Sequence, residues 1–456
     1  MSTISGVQTP AEPEHPALRP VPLRAIWKDV RRGGPLELLD RLAREEPGRI
    51  AQLRLGPFRP LLVTHPDHLR HVLRDRADNY PRGAAMWSAL GRLTGDGIGG
   101  EGPQWHASRQ ILQSAFSGAH LRQMSGAMLD GITAGTDELV ERAAAGPVDA
   151  GTEMTRLVQR VIDPVFFGDL IPDGEGDRLG ESIATAMGSL LWRMALPFVP
   201  HAVPLPGDLA FWRATRTVRR ILQPLLAEAR RHPVPEHSVI TKLMRGTGAD
   251  GRPLTDQQIV DDIVALFVAG SESSAIALTW VWVALAEHPE VLGRVREEVD
   301  RVIGDGGLRR DHVRELTYTR MVLREVLRIY SVGWAVPRMA TDDDVLGDVP
   351  VRAGTTLVIS PYLTHRLPEF WPDPLRFDPL RFTRERSRTR DPLAYLPFGD
   401  GVHQCLGEAF FLEEATLVVA ELVRRCDIAV ADPVRPKLSL TVQPRQPVRL
   451  RVTPRA

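Results

Sequence analysis

Ten residues, Phe398 to Gly407 (FGDGVHQCLG), combine side-chain types and spacing that suit a ligand loop for a soft metal centre. Cys405 follows a glycine-rich turn and directly precedes LGEAFFLEEATLVVAELV, a strongly apolar run with helical period. A thiolate at a helix N-terminus is stabilised by free backbone N–H groups and by the positive end of the helix dipole. Gly399 and Gly401 let the loop turn tightly, and Gly407 removes a side chain where a bulky group must come close to the backbone. Phe398 shields the sulfur from water, and His403 offers a donor to an anionic group. A single cysteine taken alone is as a rule a small buried hydrophobe; the loop around Cys405 sets it apart.

Other groupings place polar side chains at helical spacing. Trp105 and Arg109 stand four apart on one helix face, by itself an ordinary packing pair. Ala269-Gly-Ser-Glu-Ser-Ser274 interrupts a long apolar helix with a glycine and polar groups, which cost stability relative to alanine and call for a local reason. Glu325 and Arg328, three apart, face each other as many surface pairs do. The acidic run Asp342 to Asp344 has a composition that suits magnesium, but a turn between adjacent strands is the preferred reading.

In its pattern F-G-x-G-x-H-x-C-x-G, the Cys405 loop resembles the heme-binding loop of the cytochrome P450 family at every defining position. The Trp105/Arg109 pair, the Gly270–Ser273 segment and the Glu325/Arg328 pair resemble further elements of that family, in the same order. The resemblance implies Cys405 as the metal ligand of heme b (iron protoporphyrin IX). It implies that Trp105 and Arg109 donate to one propionate and Arg338 binds the second, while Ala269, Gly270, Phe398, His403 and Gly407 also contact the cofactor. Glu272 and Ser273 are then the catalytic pair of the oxygen-binding groove. Ser273 stands where threonine is usual and lacks the methyl that restricts its rotamer. FDPLRF, Phe377 to Phe382, is similar to the family's F-x-P-E-R-F, with Leu380 in place of glutamate. Arg381 would complete a structural ion network with Glu325 and Arg328 behind the heme.

The activity so implied is insertion of one oxygen atom from O2 into a lipophilic small molecule, by hydroxylation or epoxidation. A terpenoid- or polyketide-like substrate of secondary metabolism is expected, because the candidate walls (Tyr80 to Gly102, Leu190 to Trp212, Val332 to Val336, Leu440 to Val442) are mostly apolar. The chain carries no glycine-rich flavin or nicotinamide segment and no cysteine cluster for iron–sulfur. Electrons are therefore expected from a ferredoxin and a ferredoxin reductase, docking on the thiolate side against cations such as His120, Arg122 and Arg424. Oxidative coupling or rearrangement, direct use of peroxide, and a heme sensor or binding protein that never turns over stay open as alternatives.

The elements that must position these groups are mainly α with a small β region. Residues 1–22 read as a flexible tail and 23–456 as one heme domain of the cytochrome P450 fold. Helical spacing is read over Leu36 to Glu45, Leu121 to Arg142 and Thr152 to Phe167, and two short strands over Ile50 to Thr64. Tyr80 to Gly102 reads as a glycine-rich loop walling a pocket, and Ala184 to Trp212 as two helices with a mobile, proline-broken connector. Lys plus Arg and Asp plus Glu each total 57 in 456 residues, which argues against bulk binding of nucleic acid. Cys405 and Cys426, the only cysteines, lie too far apart for a disulfide across the intervening helix of roughly 30 Å, which fits a reducing cytoplasm. The opening residues lack the apolar core of a secretory signal. Ile263 to Ala286 is long enough to span a bilayer, but Glu272 at its middle favours a buried core helix over a membrane span. A monomer is expected.

Overall fold

In the computed structural model, the described residues are 18–455 apart from 46, 57, 84, 172–173, 191, 194–198, 200–202 and 232–233. Its longest helix, Asp256–Glu287, sets the frame. The helix starts from a capping box: the Thr255 hydroxyl accepts the Gln258 N–H at 3.3 Å, and the Gln258 side chain accepts the Thr255 N–H at 2.9 Å. Beyond the cap it is apolar on nearly every side, with Ile259 to Phe267 and Ala275 to Leu285 mostly buried. Among the described residues it is the only helix long and apolar enough to cross a membrane, yet 67% of its most apolar window is buried within the protein. It is the core helix that the glutamate at its middle implied.

Among the helices that pack directly on this frame are Ala85–Thr94, Ala150–Phe167, Glu175–Ser189, Asp208–Arg231 and Thr317–Tyr330. The helix that follows Cys405 runs Glu408–Arg425 and is buried along most of its length. Strands are few and short. A five-stranded sheet has the order Arg19–Val21, Ala51–Leu53, Leu61–Val63, Thr356–Ile359, Val336–Met339, and the last of these carries Arg338. A C-terminal hairpin, Pro436–Leu438 with Val442–Pro444, stands apart from it. The mainly helical architecture with a small β region is as expected.

Several boundaries differ from the sequence reading. Arg19–Val21, within the expected tail, is an edge strand parallel to Ala51–Leu53; Pro20 is tolerated because an edge leaves one side of the strand unpaired. The rest of that tail, up to residue 17, lies outside the described residues, as does most of the connector expected to be mobile after Ser189. The Tyr80 to Gly102 loop contains a helix, Ala85–Thr94: Trp87, Leu90 and Thr94 fall three and four apart on one face, a period masked by the flanking glycines. The acidic run is a turn: Asp343 pairs with Arg352 at 2.7 Å and caps the Ala353 N–H, while Asp344 accepts from His71 and Tyr80 at 2.9 Å each.

Candidate active site

Cys405 lies at the floor of a cavity of about 480 Å3, within the range of cofactor and ligand sites. Its loop is closed by the Cys405 N–H donating to the Phe398 carbonyl at 2.9 Å. It is anchored from outside by Arg74, which grips Asp400 through two hydrogen bonds of 2.7 and 2.8 Å. Gly401 has φ +73°, and a Cβ there would sit 2.1 Å from the Leu73 carbonyl oxygen, so only glycine fits. A Cβ on Gly407 would come no closer than 3.8 Å to any protein atom, that atom being Cys405 Sγ; the glycine keeps the floor beside the sulfur open. Phe398 lines the cavity and its ring lies 5.9 Å from that of Phe411.

Cys405 is exposed because it borders both this cavity and a second recess lined by Arg109, Gln113 and Arg320. Burial pushes its pKa up, and the Glu408 charge adds to that, while the N–H groups of Gly407 and Glu408 and the Arg109 guanidinium pull the other way. The helix begins at Glu408 with Gly407 as its cap, so the dipole does reach the sulfur, but desolvation outweighs it. A bound cation would reverse this balance, since a coordinating thiol is deprotonated outright.

Above the floor, the cavity wall holds three guanidinium groups, from Arg82, Arg109 and Arg338. Arg109 donates to the Gln404 carbonyl at 2.6 Å, and Arg338, on its strand, donates among the described residues to its neighbour's carbonyl, that of Pro337, at 3.0 Å. Burial lowers Arg338 to about 10, and burial with the repulsion of Arg338 lowers Arg82 to about 10. Arg82 donates to the carbonyls of Ile98 and Gly100 at 3.2 and 3.4 Å and lies over the Trp87 ring at 4.6 Å; its Nε is buried without a partner. Trp105 Nε1 is likewise buried and unpaired, its ring 4.5 Å from that of His403. His403 lines the cavity, but its Nε2 is 3.0 Å from Glu101. Burial alone would raise Glu101; the bond from His403 and the Arg82 N–H overcome it and hold the carboxyl at about 2. Buried cations, unpaired donors and a sulfur facing one cavity are what a metal complex with acidic side groups needs, so the residues present fit a heme.

Behind the floor lies the ion network. Glu325 and Arg328 are fully buried and paired at 2.7 and 2.9 Å. The other Arg328 donors go to the carbonyls of His365, Pro374 and Arg376. Arg381 reaches Glu325 only as a charge, 3.4 Å from Nε, and spends its remaining nitrogens on the carbonyls of Pro372, Asp373 and Arg376.

On the opposite wall, Ala269, Gly270 and Ser273 of the helix Asp256–Glu287 line the cavity together with Ser274. The Ser273 hydroxyl donates back to the Ala269 carbonyl at 2.5 Å. Glu272 does not line the cavity; it accepts from Gln443 Nε2 at 3.0 Å, and burial raises its pKa. Higher on the same helix, Asp262 accepts the Ile98 N–H at 2.6 Å and the Ser108 hydroxyl at 2.7 Å. Gly97 permits this: a Cβ there would lie 2.1 Å from the Asp262 carboxylate.

Of the residues singled out from sequence, the cavity brings together Arg109, Ala269, Gly270, Ser273, Arg338, Phe398, His403, Cys405 and Gly407, with Trp105 packed behind His403; Glu272 lies outside. Of the walls read from sequence, Val332 to Val336 and part of 80–102 contribute; no described residue of Leu190 to Trp212 lines the cavity, although Met187 just before it does; Leu440 to Val442 does not, because Val442 is buried against Trp280. Arg82, Glu101 and Asp262 were not foreseen, since each is a lone charged residue whose role depends on distant partners. The cationic patch expected near the thiolate is not there in the form described. His120 is buried, bonded to the His237 carbonyl and held neutral by burial, and Arg424 is paired with Glu421; only Arg122 is exposed and unpaired.

Comparison with known proteins agrees with the site. The family model described as Cytochrome P450 matches residues 15–452. Pentalenene oxygenase of Streptomyces avermitilis is 30% identical over 435 residues, covering 94% of each chain. Cyclooctat-9-en-7-ol 5-monooxygenase of Streptomyces melanosporofaciens is 30% identical over 442 residues, covering 92% of each. The crystal structure of the cytochrome P450DA heme domain shares the fold with a TM-score of 0.84, at 24% identity, over 96% of this chain and 97% of that one.

The Asp262 contact makes a prediction of its own. Burial, with the nearby Asp261 charge, lifts its carboxyl to about 6, above an ordinary 3.8, despite the two hydrogen bonds it accepts. The folded state therefore disfavours the charge: the cost is present in full above pH 6 and disappears as pH falls towards 4, about 3 kcal/mol in all. Asp262→Asn removes the charge while its amide oxygen still accepts the Ile98 N–H and its amide nitrogen donates to the Ser108 hydroxyl, reversing that bond. In urea unfolding, its stability relative to the parent should rise by about that amount between pH 4 and pH 7; a constant difference over that interval would show that Asp262 does not titrate there.

Proposed function

The chain belongs to the cytochrome P450 family and is a heme-thiolate monooxygenase, and on that basis we propose that it oxidises a neutral, lipophilic terpenoid- or polyketide-like molecule in secondary metabolism. The observation that carries this reading is the cavity itself: its lining is mostly apolar, with Trp87, Leu90, Ile98, Phe166, Met187 and Val332 among its walls. Heme b bound through Cys405 supplies activation of O2, with one oxygen atom going to substrate and the other to water at the expense of two electrons and two protons. Trp105, Arg109, Arg338 and Arg82 would hold its two carboxylates. Among the described residues, no lysine or arginine other than Arg82, Arg109 and Arg338 lines the cavity, so an acidic substrate finds no cation apart from those that would hold the heme. The names of the two relatives, built on pentalenene and cyclooctat-9-en-7-ol, support the substrate class.

The chain's own groups do the rest. The apolar walls exclude water and orient the substrate. Ser273 donates or accepts at the cavity surface once its hydroxyl leaves the Ala269 carbonyl, and Glu272 resupplies its proton. Electrons come from a ferredoxin and its reductase. A recess of about 480 Å3 on the far side of the Cys405 loop, edged by Arg109, Gln113 and Arg320, offers a docking face in place of the one expected around His120. We place the enzyme in the cytoplasm, as a monomer.

Three measurements check this. The reduced, CO-bound protein should show the red-shifted Soret band of thiolate ligation, lost in Cys405→Ala and kept in Cys426→Ala; a thiolate band that survives in Cys405→Ala sinks the assignment. In optical titrations, neutral terpenes and terpene alcohols should bind at least about tenfold more tightly than the matching carboxylic acids, because a buried carboxylate finds no free partner. Ser273→Ala should keep binding and the thiolate band but divert reducing equivalents into peroxide, while Ser273→Thr is tolerated. If Ser273→Ala yields as much product per reduced cofactor as the parent, the serine only bonds back along its helix.

A further inference from the structure

The segment Pro436–Pro444 is a fixed frame set against the helix Asp256–Glu287. Its hairpin strands pair in register from Pro436↔Pro444 to Leu438↔Val442. The Val442 carbonyl accepts the Trp280 indole N–H at 2.9 Å, and the Val442 N–H donates to the Val332 carbonyl at 3.2 Å. Trp334 adds a bond to the Ser439 carbonyl at 2.9 Å. Trp280 is fully buried, and Val332 lines the cavity, so the hairpin is bolted both to the helix and to the cavity wall. Gln443 follows Val442 and reaches the same helix two turns before Trp280, at Glu272.

Gln443 Nε2 stands 3.0 Å from Glu272 Oε1 and 3.0 Å from Thr441 Oγ1. Because a carboxylate only accepts, the amide nitrogen must face Glu272, and its second hydrogen is free for the Thr441 hydroxyl. Both hydrogens are thus used, and the amide has one orientation. Glu272 has no other hydrogen-bond partner among the described residues, and it is not among the residues that line the cavity, although its neighbour Ser273 is.

We propose that Gln443 is a positioning residue that holds Glu272 out of the cavity as a carboxylate, so that the C-terminal hairpin governs when this acid can serve the oxygen site. The inference rests on the reading of Glu272 as the proton supply. Its physical basis is an asymmetry: a donor to a carboxylate favours the charged form, and burial opposes it. Without the amide, the buried acid becomes neutral more readily, is no longer held to the hairpin, and can swing toward Ser273 and deliver protons out of turn.

The test uses heme-loaded protein and infrared difference spectra over pH, with the Glu272 carboxyl band assigned by its loss in Glu272→Gln. Loss of one hydrogen bond to a charged group should raise the midpoint of that band by about one pH unit in Gln443→Leu. A smaller rise is expected in Thr441→Val, which loosens the amide without removing it and gives a second measure should Gln443→Leu fold poorly. The share of reducing equivalents lost to peroxide should rise about twofold or more in Gln443→Leu. An unchanged midpoint in both hairpin variants overturns the tether. If the midpoint moves but Glu272→Gln leaves the ratio of product to peroxide as in the parent, the tether stands and the proton-supply reading falls. If Glu272→Gln uncouples the enzyme while Gln443→Leu shifts the midpoint and not the ratio, the hairpin holds the acid without governing it, and the proposal is overturned.

Discussion

A guanidinium with no exposure to water has five N–H donors to satisfy, and Arg328 satisfies all of them. Two go to Glu325 and three to the carbonyls of His365, Pro374 and Arg376, so one side chain gathers a helix and three points on the following irregular chain. His365 extends this hold. Its Nε2 accepts the Leu396 N–H at 3.0 Å and its Nδ1 lies 2.9 Å from the Ser331 hydroxyl, so the ring carries its proton on Nδ1 and stays neutral. Leu396 is two residues before Phe398, where the cysteine loop begins. The position of the sulfur is thus referred, through backbone hydrogen bonds, to a buried ion pair. Its net contribution to stability can be small while the cost of breaking it is large, because either partner alone is an unpaired buried charge. The pair specifies where the floor lies.

A second constraint acts on the other side of that floor. Three guanidinium groups around a largely apolar cavity repel each other and are poorly hydrated, and the lowered pKa values of Arg82 and Arg338 express that strain. The protein relieves it in part. Carbonyls of Ile98, Gly100, Gln404 and Pro337 accept from the three groups, and Glu101 places a negative charge nearby. The carbonyls of Ile98 and Gly100 sit where they do because Asp262 pins the Ile98 N–H to the long helix. One buried carboxylate therefore sets a loop, the loop sets Arg82, and the cavity keeps a surplus of positive charge that an anionic cofactor neutralises.

How legible this was in the sequence follows the range of the interactions. The cysteine loop could be read because its chemistry is written in ten consecutive residues, and Glu325 with Arg328 because helical spacing puts them face to face. Arg82 and Glu101 could not, since a lone arginine in a glycine-rich stretch is buried only when Ile98, Trp87 and the sheet close over it. The His403–Glu101 contact spans 302 positions. The Ala85–Thr94 helix was missed for a local reason: glycines at its borders hid a short period that packing against the long helix makes stable. His120 misled in the opposite sense, a polar residue whose ring is used inside the protein, on a backbone carbonyl.

The segment Gly270 to Ser274 shows why a weak stretch of helix can survive at such a site. One glycine and three serines among five residues cost about 2–3 kcal/mol relative to alanine. On both sides the same helix is clamped by deeply buried turns, around Ile263 and around Trp280, and the second clamp is tied to the C-terminal hairpin. Fraying therefore cannot spread, and the low propensity is confined to the turn that faces the cavity. There the hydroxyl of Ser273 is bonded to its own helix and the carboxylate of Glu272 to the hairpin. Each contact is a single hydrogen bond, worth about 0.5–1.5 kcal/mol between neutral groups and about 1.5–3 kcal/mol to a charged one. Such bonds are strong enough to set a resting position and weak enough to be exchanged for others. A methyl group on Ser273 would bias its rotamer further, so serine makes this turn the more mobile form of the same device.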